Sequence, residues 1–97
     1  MYAAIRQGQA NPGAVQEVAR RIQEGYIPIL RNTPGFVAYY LVDTGNDAGL
    51  SITIFETQAQ EEEFQQRAND WARQHLVPIM QGPPQPSTGE VLLHAVR

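Results

Sequence analysis

The 97-residue sequence contains no cysteine, and this absence excludes several kinds of chemistry. Disulfide bonds, thiolate nucleophiles and cysteine-ligated metal sites all require a thiol. Basic residues are also few: seven Lys and Arg stand against ten Asp and Glu, which gives a net charge of -3. Because binding to nucleic acid needs a concentrated positive patch, we expect no nucleic-acid partner.

Long apolar segments are absent as well. No run approaches the roughly 20 apolar residues that span a bilayer, and no basic segment precedes the short apolar stretch after Met1. We therefore expect no membrane association, no signal peptide and a cytoplasmic location. The length predicts one domain, residues 1–97, that buries about 60–65% of its unfolded surface.

The segment from Pro34 to Thr57 predicts a β-hairpin. Its two arms are rich in β-branched and aromatic residues, and the glycines, aspartates and asparagine between Asp43 and Gly49 favour a turn. Neither face of the first arm is polar, and Tyr39 and Tyr40 must point to opposite faces. A strand that is apolar on both faces needs cover on both sides of its sheet.

Apolar residues at spacings of three and four predict a first helix after the opening strand. Asn11 is its expected N-cap, and Pro12 its expected first helical residue. Because Pro28 lacks an N–H donor and disfavours helical backbone at the preceding residue, the helix should end or kink near Tyr26.

A second helix is predicted to begin after Thr57, which forms a capping box with Gln60, and to stop before Pro78. Glu61, Glu62 and Glu63 point in different directions on a helix, so we interpret this triplet as a solvated face stabilised by the helix dipole. The predicted buried stripe comprises Phe64, Ala68, Trp71, Ala72, His75 and Leu76.

Two further strands complete the predicted order of elements. Alternation indicates strands over Met1–Gln7 and Glu90–Arg97, with Gln81–Gly89 as a Pro- and Gly-rich connector. The resulting order, βαββαβ, predicts an α+β, ferredoxin-like fold: a four-stranded antiparallel sheet with both helices on one face.

Two helices protect only one face of such a sheet. The open face is expected to present Tyr39 or Tyr40, Phe55 and alternate residues of the last strand, and an apolar patch of that size in a soluble protein usually marks an interface. We therefore predict a closed homodimer in which two copies pack sheet against sheet.

Three short motifs resemble a known family. They are Pro-Gly-Phe at 34–36, the aromatic pair at 39–40, and Ile-Phe-Glu-Thr at 54–57 directly before a Gln- and Glu-rich helix. The succession resembles the antibiotic biosynthesis monooxygenase family over nearly the whole chain. The resemblance implies a dimeric α+β barrel with a cavity between each sheet and its helices or the partner sheet. It is less specific for activity, because the superfamily also includes haem-degrading enzymes, isomerases and proteins without an assigned reaction.

The resemblance also relates individual positions to family members. Those members commonly have tryptophan at the position of Phe55, and those that oxidise phenolic polyketides to quinones without a cofactor have asparagine at the position of Ser51. The resemblance to haem-degrading members implies a site with an asparagine, a tryptophan and a histidine. This chain has Arg6 near the position of the asparagine, Phe64 near that of the tryptophan, and His75 near that of the histidine. The implied activity is a monooxygenase without a cofactor, and neither haem nor a metal is assigned.

His75 is the candidate catalytic residue, because imidazole titrates near neutral pH and lies one helical turn after Trp71. The alternative is a boundary histidine at the end of the core stripe. Arg6 can meet an anionic substrate or form a surface ion pair, and His94 can face the cavity or serve structure. The candidate substrate-binding residues are Trp71, Tyr39, Ser51, Phe55, His94 and Arg6.

Three functions are open at this point. In the first case the protein is a cofactor-independent oxygenase that acts on a small aromatic or polyketide-like substrate, with His75 as proton acceptor. Alternatively, it is a non-catalytic dimeric module that binds a small apolar or aromatic molecule. In the third case the sheet serves only assembly, and side chains leave no pocket of about 300 Å³ or more.

Overall fold

The computed structural model describes residues 1–97 and has the element order expected for a ferredoxin-like chain. The elements are β1 (Tyr2–Gln9), α1 (Val15–Arg21), a π-helical segment (Ile22–Tyr26), α2 (Ile27–Arg31), β2 (Phe36–Gly45), β3 (Ala48–Phe55), α3 (Gln58–His75), a 3-10 turn (Val77–Ile79) and β4 (Gln85–Glu90). The strands form one antiparallel sheet in the order β2-β3-β1-β4, and the helices cover one of its faces. The predicted α+β fold is confirmed.

The core lies between the helices and one face of the sheet. Phe55 and Leu30 are its largest fully buried side chains, and the Phe55 and Phe64 rings lie 5.7 Å apart. The buried cluster is completed by Ile22, Tyr26, Ala68, Ala72 and Leu76.

Strand register decides which residues face the helices. Tyr39 pairs directly with Thr53 and packs against the core, whereas Tyr40 pairs with Ile52 and is 58% exposed. Phe55 was expected on the open face, but it faces the helices and is only 1% exposed. The open face instead presents a row across three strands, formed by Tyr40, Ile52 and Ile5.

The β2–β3 hairpin is confirmed, and its strands extend further than expected. Pairing continues to Gly45 and Ala48, so the turn shrinks to Asn46 and Asp47. Both residues have positive φ, at 55° and 63°. Two-residue hairpin turns of type I′ require this backbone, and Asn and Asp tolerate it better than other non-glycine residues.

The first helix begins later than the sequence indicates. Gly13 has a φ of +78°, so the backbone is not helical there, and α1 starts at Val15 without a side-chain cap. Asn11 instead closes a turn in which its carbonyl accepts from the Ala14 N–H at 2.9 Å. Near Pro28 the helix continues through the π-helical segment into α2, which accommodates the missing proline donor.

The second helix begins as predicted. The Thr57 hydroxyl accepts from the Gln60 N–H at 3.2 Å, and the Gln60 side chain accepts from the Thr57 N–H at 3.1 Å, which completes the capping box. The stripe is buried at Phe64, Ala68 and Ala72.

The last strand is the main correction to the fold. β4 is Gln85–Glu90, within the predicted connector, and residues 91–97 are not in a strand. Glu90 pairs with Tyr2 at the start of β1, so the chain beyond it has no strand left to pair with in this subunit. Pro86 is tolerated because β4 is an edge strand.

Candidate functional site

A cavity of about 190 Å³ lies between the helix-covered face of the sheet and the helices. Its walls are mostly apolar and come from β1, β2, β3, the first helical region and α3. The polar side chains that line it include Arg6, Tyr39, Ser51, Asp43 and Asp47. Its volume lies below the roughly 300–1,000 Å³ of sites for drug-sized ligands, so it suits a compound of one or two rings.

Three aromatic rings form one wall of this cavity. The Tyr26 ring lies 4.9 Å from Trp71 and 5.8 Å from Tyr39, centroid to centroid. Gly25 lets the wall form, because a Cβ there would lie 3.1 Å from the Trp71 ring. Such rings offer a flat apolar surface for another aromatic ring.

The two tyrosines keep their protons at neutral pH. Burial raises the pKa of Tyr26 to about 12, although Arg6 acts in the opposite direction. Burial also raises the pKa of Tyr39, opposed by the neighbouring Ser51 hydroxyl and by Arg6. The Tyr39 hydroxyl has the Ser51 hydroxyl as a hydrogen-bonding neighbour. Every fully buried side-chain N or O atom has a hydrogen-bond partner, and the Tyr26 hydroxyl has none within the chain, so it is an accessible donor.

Arg6 is the cation of the cavity. It lies near the middle of β1, directly opposite Ser51 on β3, and shares the helix-covered side of the sheet with it. Its Nη2 donates to Asn69 Oδ1 at 2.8 Å, and none of the ion pairs in the chain includes it. The guanidinium is half-buried and available to a ligand.

Glu61 is a buried carboxylate that our interpretation of the glutamate triplet missed. It is 3% exposed and lines a small second cavity together with Arg6, Tyr26 and Thr53. Burial raises its pKa, the nearby Glu62 carboxylate adds to the shift, and Arg6 opposes it. Its position three residues before Phe64 and seven before Ala68 places it on the buried stripe, and this spacing was the available signal.

The candidate residues divide into two groups. Trp71, Tyr39, Ser51 and Arg6 line the cavity together. Phe55 does not, because it is in the core between the sheet and Phe64.

Neither histidine lines the cavity. His75 is exposed at the end of α3, where its ring lies 4.9 Å from Trp71. Trp71, one turn earlier, occupies the space beside the cavity, so the imidazole packs against that ring from the solvent side. His94 was expected on a strand, but it is exposed in the segment after β4. The cavity therefore contains no imidazole as a proton acceptor.

A family model described as antibiotic biosynthesis monooxygenase matches residues 1–72. The chain belongs to the antibiotic biosynthesis monooxygenase family. The matched part includes β1, the hairpin, the cavity-lining Trp71 and most of α3, so the resemblance of the short motifs is confirmed. No curated protein has a sequence that matches this chain.

Solved structures of similar fold cover nearly the whole of this family member. One, a protein of unknown function from Nitrosomonas europaea, is 15% identical, with 99% of this chain and 93% of that chain covered at a TM-score of 0.82. The heme-degrader MhuD from Mycobacterium tuberculosis, solved with two hemes in its active site, is 20% identical. The alignment covers 99% of this chain and 100% of that chain, at a TM-score of 0.77. A monooxygenase from the ActVA-Orf6 gene of Streptomyces coelicolor, in complex with Nanaomycin D, is 13% identical. The alignment covers 99% of this chain and 91% of that chain, at a TM-score of 0.74. At these identities the likeness shows the fold.

The cavity of this family member offers no histidine to a haem iron. Haem iron is commonly held by histidine, and both histidines lie outside the cavity. No group of three or more His, Asp and Glu side chains is placed to hold a metal ion. No helix is both long and apolar enough to cross a bilayer.

Proposed function

We propose that the protein is a cofactor-independent monooxygenase that oxidises a small, electron-rich aromatic compound in the cavity. The main observation is the cavity itself: an aromatic wall that includes Tyr26 and Tyr39, with Arg6 beside it, in a chain of a monooxygenase family. That the neighbour from Streptomyces coelicolor is a monooxygenase in complex with Nanaomycin D adds support.

In the proposed reaction the substrate supplies all the electrons. A phenol is oxidised at a ring C–H: one atom of O2 enters the ring as a carbonyl oxygen, the phenol O–H becomes the second carbonyl, and the two hydrogens leave with the other oxygen atom as water. The phenol loses four electrons and O2 gains them, so no further reductant is needed. The protein orients the ring and excludes bulk water.

The proton acceptor that we propose is Glu61. It is the only buried carboxylate of the chain, and it shares its small cavity with Arg6 and Tyr26, which also line the large one. A carboxylate with a raised pKa is a better base than an exposed one. The exposed position of His75 argues against the role that the sequence suggested for it.

The experiment measures oxygen uptake with one- and two-ring phenols, on protein treated with a chelator and given no flavin. We expect O2-dependent formation of a quinone, with one atom of 18O2 in the product. Saturable binding without product would instead support the non-catalytic binding module. The specific argument for that module is that this chain has Ser51 and Phe55 where family members commonly have asparagine and tryptophan. Absence of binding would support the scaffold.

We also propose that two copies pair through the open sheet face. The row of Tyr40, Ile52 and Ile5 is apolar and has no cover in the subunit. The segment after β4 adds Leu92 and Leu93, which are 93% and 89% exposed. Apolar surface of this extent favours a self-complementary interface with two-fold symmetry.

A further inference from the structure

We infer that Arg6 binds the acidic group of the ligand, so that the ligand is an aromatic carboxylic acid. The inference depends on the proposed function only in that the cavity is taken as the ligand site. It concerns binding, and it holds or fails whether or not the ligand is oxidised.

The distribution of positive charge singles out Arg6. All seven basic residues are arginines. Three of them, Arg20, Arg21 and Arg73, form ion pairs with carboxylates of their own helix. Arg6 is the only half-buried arginine without an ion pair, because the remaining unpaired ones are exposed at Arg31, Arg67 and Arg97.

A half-buried guanidinium beside apolar walls loses part of its hydration, and an anionic partner can replace that part. Of its five N–H donors, one donates to a neutral oxygen, Asn69 Oδ1. The planar guanidinium matches the two oxygens of a carboxylate in a bidentate pair, which is the strongest kind of charge-assisted hydrogen bond.

Glu61 does not satisfy this requirement. Its carboxylate forms no ion pair with Arg6 and lines the second, smaller cavity. Burial also raises its pKa, which favours the neutral form and weakens it as a counter-ion.

The cavity is electrostatically polarised along its length. Asp43 and Asp47 line it beside the hairpin turn, where Asp47 Oδ1 accepts from the Gly13 N–H at 3.2 Å. On the side of Arg6 that lines this cavity the polar groups are hydroxyls instead, from Ser51 directly across the strand pair and from Tyr39, whereas Glu61 lines the second cavity. An anionic group is repelled at the first end and attracted at the second.

The test compares two ligands of nearly equal shape, 4-hydroxybenzoate and 4-hydroxybenzamide, by titration calorimetry. Trp71 is the only tryptophan and lines the cavity, so its fluorescence reports independently that the compound binds there. We expect the acid to bind wild-type protein at least tenfold more tightly than the amide, about 1.4 kcal/mol. In Arg6→Gln the preference should fall to within about twofold, and in Arg6→Lys it should be intermediate because the charge stays but the bidentate geometry is lost.

Arg67→Gln is the matched control. It removes the same charge from an exposed, unpaired arginine outside the cavity, so it should keep the wild-type preference. Equal affinities of acid and amide for wild-type protein, or an unchanged preference in a folded Arg6→Gln, would overturn the inference, as would absence of binding by both compounds. If Arg6→Gln does not fold, the wild-type comparison and Arg6→Lys still decide it. Failure to consume oxygen contradicts the proposed oxidation alone.

Discussion

Glu61 is buried by the same helical stripe that forms the core, and burial raises its pKa above the ordinary value of 4.5. The folded protein therefore holds this proton to higher pH than the unfolded chain does. The contribution of Glu61 to stability is fully present below its unfolded pKa and is lost as the pH rises through its folded pKa. Above its folded pKa the buried charge is a cost to folding.

The direction of this pH dependence leads to a stability prediction for Glu61→Gln. At about pH 7.5 the variant should be more stable than wild type, and the difference should shrink as the pH falls toward and below the ordinary carboxyl pKa, because protonation of Glu61 removes the buried charge. Urea unfolding of both proteins at several pH values measures this difference in the free energy of unfolding. Glu63→Gln is the control, because this exposed neighbour should change stability little at any pH. A Glu61→Gln protein that is less stable than wild type at pH 7.5 would contradict the argument.

The same residue should matter for turnover, whereas His75 should not. With an active phenol, Glu61→Gln is expected to lower kcat by about a hundredfold, the lower range for loss of general base catalysis, with little change in ligand affinity. His75→Ala should stay within about twofold of wild type, because its ring lies outside the cavity. Loss of oxygen uptake in His75→Ala, with Glu61→Gln unaffected, would restore the assignment suggested by the sequence.

At the scale of elements, the start of α3 depends on the loop before β2. Gly35 has a φ of +85°, and a Cβ there would overlap with the side chain of Gln60, which completes the capping box. The Gly35 carbonyl also accepts from the Glu56 N–H at 2.8 Å. One glycine thus links the beginning of the hairpin to the beginning of the helix.

We therefore expect Gly35→Ala to lower the free energy of unfolding by more than about 1 kcal/mol. Gly45→Ala separates the two causes, because Gly45 has a φ of +96° but open space around its Cβ position. Gly45→Ala should therefore show the effect of backbone strain alone, and its free energy of unfolding should fall by less than that of Gly35→Ala. Chemical denaturation of both variants measures the difference, and equal losses would mean that the contact with Gln60 contributes nothing.

At the scale of the whole molecule, the open sheet face predicts the assembly. Wild-type protein at micromolar concentration should sediment as two copies of the 10.8 kDa chain. Ile52→Lys places a charge in the middle of the apolar row, so it should give a monomer. Gln23→Lys adds the same charge on an exposed helix surface and should stay dimeric. A wild-type monomer at this concentration would exclude the proposed pairing.

Several features of the fold and the site were predictable because their causes are local. The capping box of Thr57 and Gln60 involves residues three apart, and the β2–β3 hairpin joins strands that are adjacent in sequence. The motifs around Phe36, Tyr39 and Phe55 were sufficient to indicate the family. Of the candidate site residues, Arg6, Tyr39, Ser51 and Trp71 line the cavity, and their role in binding stays a prediction.

The remaining features depend on contacts between distant parts of the chain. The alternation after Glu90 is typical of a strand, yet β4 is the polar segment before it, because the start of β1 sets where pairing with β4 ends. Tyr39 and Tyr40 are equivalent by periodicity, and only the register with β3 decides that Tyr39 faces the cavity.

The sequence by itself therefore determined the order of the elements, the positions of most of them and the family, since hydrogen bonds and periodicity within a few residues suffice for these. The tertiary structure decided which side chains meet. The exposure of His75 and the choice of Tyr39 over Tyr40 for the cavity side both follow from how the helices pack on the sheet, and that packing depends on contacts that no local pattern encodes.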